Sequence, residues 1–155
     1  MNPYQLIFTM PLGISQKLIL GNLRLTYILG NLRLTYPDGQ NIDYLATSGL
    51  PDYQRPDDRW VCGKGPIPKG EYEIPTQPYW LNTRGVEGLF FHITPDPVGF
   101  GERIRSELGI HWDANVPGTS GCVGLINWQG WEAFCRRMAN IASLGVEKIP
   151  LKVEY

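Results

Sequence analysis

The chain has 155 residues, 43% hydrophobic and 19% charged, with a formal net charge of −1. That is the profile of one globular domain with a single core. The near-neutral balance makes no electrostatic case for nucleic acid or an anionic membrane, and no apolar run is long enough to cross a bilayer. Three cysteines are an odd and sparse set for a disulfide framework, and no pair has zinc-ribbon spacing.

The start, Met1-Asn2-Pro3-Tyr4-Gln5, lacks the basic opening of a secretory signal. This predicts a protein made in a cytoplasm, whose route outward is supplied by something else. Eighteen glycines and thirteen prolines, with Tyr, Trp, Val and Ile in short runs, predict many short strands and turns.

A nine-residue unit, Ile19 to Tyr27, is repeated at once as Ile28 to Tyr36. Two copies of nine are too few and too short for a solenoid. One reading is a meander: Gln16–Leu20, turn Gly21-Asn22, Leu23–Leu29, turn Gly30-Asn31, Leu32–Tyr36. The odd length would turn the second copy to the opposite face of a continuous strand, so one copy must be an added strand, a bulge or a looped-out segment. The second copy runs into the Pro37-Asp38-Gly39-Gln40 turn and is expected to be the in-register strand, with the first as the insertion.

Asn41 to Thr47 alternates as a half-buried strand, and Leu50 to Gly65 reads as a loop. Strands are expected at Glu71–Ile74 and around Leu89–Ile93, and a helical turn or more at Arg103–Leu108. Asn127 caps a helix from about Trp128 to Leu144, whose Trp131, Phe134, Cys135, Met138 and Ile141 share one face. Gly145 stops the helix, and Ile149–Tyr155 alternates as a final strand. The expected fold is mainly β, a sandwich of mixed sheets, with one principal α-helix in a single domain.

The stretch from Gly109 to Leu125 carries the chemistry. Cys122 lies between small residues, shortly after His111. A cysteine nucleophile needs a base within reach, and bare neighbours such as Gly121 and Gly124 let backbone N–H groups face an oxyanion. Alone, such a cysteine is more often a buried structural thiol.

The order of motifs resembles the YkuD-type L,D-transpeptidase catalytic domain, from about Leu32 to Tyr155. The hairpin from Leu32 to Gly49, ending in Ser48-Gly49, resembles its first strands. Pro66-Ile67-Pro68-Lys69-Gly70-Glu71-Tyr72 resembles its Thr-Pro-x-Gly-x-Tyr turn, and Gly109-Ile110-His111 its Gly-Ile-His segment. Thr119-Ser120-Gly121-Cys122-Val123 resembles its Ser-His-Gly-Cys-Ile nucleophile motif. In this chain the interval between His111 and that motif is shorter. Ser120 stands in place of the second histidine, and Gly124 in place of a common arginine. These departures resemble a divergent branch of phage or secreted wall-active proteins.

The resemblance implies acyl transfer or hydrolysis on peptidoglycan stem peptides through a thioester, with no cofactor or metal and with action in the periplasm or cell wall after delivery. Cys122 would be the nucleophile and His111 the base, with the Gly121 and Cys122 amides holding the oxyanion. Thr119 and Ser120 could donate to the substrate, or only be solvated. Trp112 could wall the groove, its carbonyl position being the one the family uses to orient the imidazole. Asp113 could orient His111, bind a substrate ammonium or form a turn. Arg84 and Arg105 could pair with stem carboxylates, or be solvated. His92 is the rival base, against a histidine bonded to backbone. The alternative from another class is a non-catalytic wall-binding or virion structural domain keeping the fold.

Overall fold

The computed structural model describes residues 3–10, 15–20, 23–83, 86–113 and 118–155. β1 (Gln5–Thr9) alternates, turning Leu6 and Phe8 inward to full burial. Among the described residues, β2 (Ser15–Leu20) and β3 (Leu23–Ile28) pair only with each other, as an antiparallel ribbon from Ser15↔Ile28 to Leu20↔Leu23. After Leu29, β4 (Gly30–Thr35) enters the main sheet between β1 and β5 (Asn41–Ser48).

The duplication is resolved as the insertion reading expects, and the three-strand meander is not formed, because β4 pairs with β1 and β5 and not with β3. The second copy is the sheet strand, and most of the first copy lies in the ribbon. The expected turn at Gly30-Asn31 is corrected, because both residues are in β4. A Cβ on Gly30 would sit 2.6 Å from the Thr9 carbonyl oxygen and 2.5 Å from Met10 Cγ. Gly30 lets β1 pass close beside it and does not reverse the chain. The other expected turn, Gly21-Asn22, lies outside the described residues.

β6 (Gly70–Pro75), β7 (Tyr79–Thr83) and β8 (Val86–His92) follow. The segment expected as a helical turn at Arg103–Leu108 instead begins with β10 (Arg103–Arg105), paired antiparallel with β9 (Val98–Phe100). The physical reason is the tight reversal at Gly101-Glu102, where Gly101 takes a positive φ of 67°. β11 (Gly109–Trp112), β12 (Val123–Leu125), α1 (Trp128–Ser143) and β13 (Lys148–Glu154) complete the chain. Asn127 Oδ1 accepts the Gly130 N–H at 2.9 Å, the expected N-cap.

Among the described residues, nine strands form one mixed sheet in the order β6-β13-β1-β4-β5-β12-β11-β8-β7. The pairs β1/β13 and β11/β12 are parallel. The sheet curls until its first strand meets the end of β8, where Glu73 and Thr94 exchange two backbone hydrogen bonds of 2.9 Å. The fold is thus mainly β with one helix, and its layers are parts of one curled sheet. α1 lies against β5, β11 and β12 and buries Trp131, Phe134, Met138 and Ile141. Phe91 meets Trp131 and Phe134 edge-on at centroid distances of 5.9 and 5.3 Å. Each such side chain contributes about 1.5–3 kcal/mol by burial.

Candidate active site

Strand register decides what can meet. Gly109 pairs with His92, Ile110 with Phe91, His111 with Gly124, and Tyr79 with Phe90. Alternation then puts Tyr79, Phe90, His92, Gly109 and His111 on one face. The ring contacts agree: Phe90 stacks on His111 at 6.2 Å and 20°, and Tyr79 lies 5.6 Å from Phe90 and 6.4 Å from His92. Cys122 immediately precedes β12. Extending the β11/β12 register by one residue sets it beside Gly109, on the face of His111 and one diagonal step away. Gly109 keeps this row open, since a Cβ there would lie 2.1 Å from the Phe90 ring.

His111 is 4% exposed. Its Nδ1 lies 2.9 Å from the Trp112 carbonyl oxygen. A carbonyl can only accept, so Nδ1 carries the proton and Nε2 holds a lone pair. Burial pushes the imidazole pKa below its usual value, against the raising effect of that backbone bond. His111 is therefore a neutral, oriented base near pH 7.

Cys122 is 8% exposed, and burial pushes its thiol up to about 11, overriding the lowering by a Gly109 backbone hydrogen bond and by Arg105. Sγ–H points at the Glu107 carbonyl oxygen, 3.6 Å away. No hydrogen bond joins Cys122 to His111 among the described residues. The resting state is a thiol beside a neutral imidazole, not a preformed thiolate pair.

The turn carrying Cys122 is clamped from several sides. The Thr119 hydroxyl accepts the N–H groups of Gly49 (3.1 Å) and Gly121 (3.2 Å) and donates to the Cys122 carbonyl at 2.5 Å. Ser48 Oγ donates to the Gly121 carbonyl at 3.0 Å and accepts the Ile67 N–H at 2.8 Å. The Ser48-Gly49 and Pro66-Ile67 motifs are thus the walls of the cysteine turn. Gly121 has φ +129°, and a Cβ on it would lie 2.1 Å from Arg105 Nη2.

Arg105 is 2% exposed. Its terminal nitrogens donate to the carbonyls of Arg59 (2.6 Å), Pro66 (3.1 Å), Gly65 (3.1 Å) and Ser120 (2.7 Å). Both are thus engaged by backbone, and Arg105 is a brace of the cysteine turn, neither solvated nor presented to a ligand. Burial lowers its pKa.

Thr119 directs its proton to backbone, and exposed Ser120 offers its carbonyl to Arg105. The Gly121 N–H is engaged by Thr119, so it differs from the free oxyanion donor expected of it. Asp113 closes the loop by accepting the Gly118 N–H at 2.9 Å, while the Trp112 carbonyl orients His111. His92 Nε2 lies 2.8 Å from Asp96 Oδ2, a partly exposed side-chain pair rather than a bond to backbone. Arg84 lies outside the described residues. Sequence reasoning missed Tyr79, whose ring stands in the same row. Burial, Asp96, Cys122 and Glu107 together raise its pKa. Only the aromatic and apolar run Tyr79-Trp80-Leu81 could have flagged that strand.

On the opposite face, Trp112, Trp80, Leu89, Trp128 and Trp131 line a cleft of about 210 Å³, bordered by His111 and Glu87. Trp112 joins the two places: its carbonyl holds His111, and its ring meets Trp128 at 4.4 Å.

No family model matches the chain, and no curated protein matches it.

Proposed function

We propose that the protein is a cysteine acyltransferase or hydrolase acting on peptidoglycan stem peptides, in the manner of the L,D-transpeptidases its motif order resembles. The observation that carries this reading is the placement of an oriented neutral imidazole and a cysteine on one face of adjacent parallel strands. Substrate binding draws Sγ away from the Glu107 carbonyl and toward His111 Nε2. Nε2 takes the thiol proton as Sγ attacks the carbonyl of the L-centre. The C–N bond then breaks, the proton passes to the departing amine, and a thioester remains. An amine or water attacks the thioester, the S–C bond breaks, and the thiol is restored. The Cys122 N–H faces the oxyanion in this scheme, since Thr119 holds that of Gly121.

A burial-raised thiol that donates to a carbonyl favours the second reading, a non-catalytic wall-binding or virion domain. Muropeptide analysis of cell walls treated with the wild type and Cys122→Ala decides between them. The enzyme reading expects a new cross-linked, exchanged or trimmed stem with the wild type alone. Equal changes with Cys122→Ala sink it.

A further inference from the structure

Residues 19–27 and 28–36 are identical, and the second copy supplies β4 of the main sheet. The place it fills is specified position by position. Leu32 and Leu34 are fully buried, with Phe8 opposite Leu32 and Leu6 opposite Leu34. Gly30 admits β1, since an added Cβ would lie 2.6 Å from the Thr9 carbonyl oxygen. Arg33 Nε and Asn31 Nδ2 donate to Asp43 Oδ1 at 2.8 and 3.1 Å, and Thr35 Oγ1 donates to Asn41 Oδ1 at 2.9 Å. The Ile28 N–H donates to Gln54 Oε1 at 2.6 Å, and the Ile28 carbonyl accepts the Thr47 hydroxyl at 2.8 Å. Tyr36 lies edge-on to Tyr4 at 5.7 Å. Each of these requirements is met by the residue nine positions earlier, from Ile19 for Ile28 through Leu23 for Leu32 to Tyr27 for Tyr36.

We propose that the first copy is a spare strand, and that the chain exchanges between the described register and one in which residues 21–26 lie between β1 and β5 in place of β4. The displacement equals the repeat length, so every side chain is replaced by its twin and both faces of the strand are kept. The connections permit it. The segments 10–29 and 36–40 on either side of β4 become 10–20 and 27–40. Neighbouring strands lie only about 4.7–4.9 Å apart, far less than either segment can span. Closure entropy grows slowly with loop length, so it sets little of the balance. The balance is set by what the exchange gives up. That is the ribbon pairing from Ser15↔Ile28 to Leu20↔Leu23, and the turn in which the Tyr36 N–H reaches the Gln40 carbonyl at 2.9 Å and the Gly39 N–H the Tyr36 carbonyl at 3.0 Å. Those bonds make the described register the major one, while the core keeps every contact that residues 28–36 supply. Two packings of one sequence that differ by so few bonds form a bistable element. β5 and its Ser48-Gly49 end stay in place, so the exchange stands apart from the acyl-transfer reading.

The test keeps the full chain and puts a charge at a fully buried position of β4, Leu32→Asp. Leu6→Asp in β1 is the control, since Leu6 is equally buried and lies outside the duplication. Leu32→Asp should stay folded by far-ultraviolet dichroism and a cooperative urea transition, and Leu6→Asp should not. Backbone nuclear Overhauser contacts in Leu32→Asp should place Arg24 opposite Asp43, the position Arg33 holds in the described register. Leu23→Asp then removes the spare. Its effect on the folding constant should be on the order of a hundredfold larger in Leu32→Asp than in the wild type. An unfolded Leu32→Asp overturns the proposal. So does a folded Leu32→Asp that keeps Arg33 opposite Asp43, or additive effects of the Leu23 and Leu32 substitutions.

Discussion

Replacing Gly121 by alanine strikes the turn that presents Cys122. The added methyl would lie 2.1 Å from Arg105 Nη2 and 3.1 Å from Leu108 Cδ2, on a backbone with φ +129°. Backbone strain there contributes about 1–3 kcal/mol, and overpacking about 1–3 kcal/mol more. If Arg105 retreats, its bonds to the Gly65 and Ser120 carbonyls are lost as well, at about 1.5–3 kcal/mol each for a charged donor. The expected total is at least ~3 kcal/mol, a large share of the ~5–15 kcal/mol that holds such a domain together. The assay is urea unfolding beside Gly39→Ala and Gly145→Ala. Those glycines also have positive φ, 86° and 89°, but nothing lies within 4 Å of an added Cβ. The controls should lose about 1 kcal/mol and Gly121→Ala several times more. Equal losses in all three would refute the claim that Arg105 packing dictates glycine before the cysteine.

Arg105→Met leaves carbonyls of the cysteine turn unpaired and should cost at least ~3 kcal/mol in a urea melt; a loss below ~1 kcal/mol would show that the brace is dispensable. Because burial lowers the His111 pKa, protons favour the unfolded chain. The stability tied to neutral His111 is full above the unfolded value of about 6.5 and falls as pH drops through it toward the folded value. Wild type should therefore lose more stability than His111→Gln between pH 7 and 5, and parallel pH profiles would contradict the burial effect. A Cys122 thiol raised to about 11 is thiolate in roughly three molecules per ten thousand at pH 7.5. Iodoacetamide should therefore modify exposed Cys62 well before Cys122 in the free protein. Peptide mapping reads the order, and Cys122 alkylated as fast as Cys62 would contradict the resting-thiol description.

The helix and the strands on either side of the site were readable locally. Asn127, the apolar stripe to Ile141 and Gly145 lie within one window, and the Asn41–Thr47 alternation needs no partner to be seen. That Cys122 and His111 come onto one face was suggested by the bare glycines around the cysteine, Gly121 and Gly124, and by the histidine shortly before it. Their brace was not. Arg105 looks like a solvated charge until carbonyls from Arg59, Gly65, Pro66 and Ser120 converge on it. Gly109–Trp112 was hidden as a strand by its glycine and by the loop after it, though parallel pairing with β12 is what aligns His111 with the cysteine turn. The tryptophan cleft draws on β7, β8, β11 and α1, an assembly that only the register reveals. The duplication was readable in its outcome but not in its turn, since Gly30 serves a close strand approach.

The central claim is that Cys122 carries the acyl group. Acid-quenched intact-mass analysis of the protein incubated with an isolated stem tetrapeptide tests it directly, followed by peptide mapping, with Cys122→Ala and His111→Ala alongside. The account predicts a thioester adduct on Cys122 in the wild type, none in Cys122→Ala, and a rate reduced at least a hundredfold in His111→Ala. An adduct on another residue, or turnover that survives in Cys122→Ala, would contradict it.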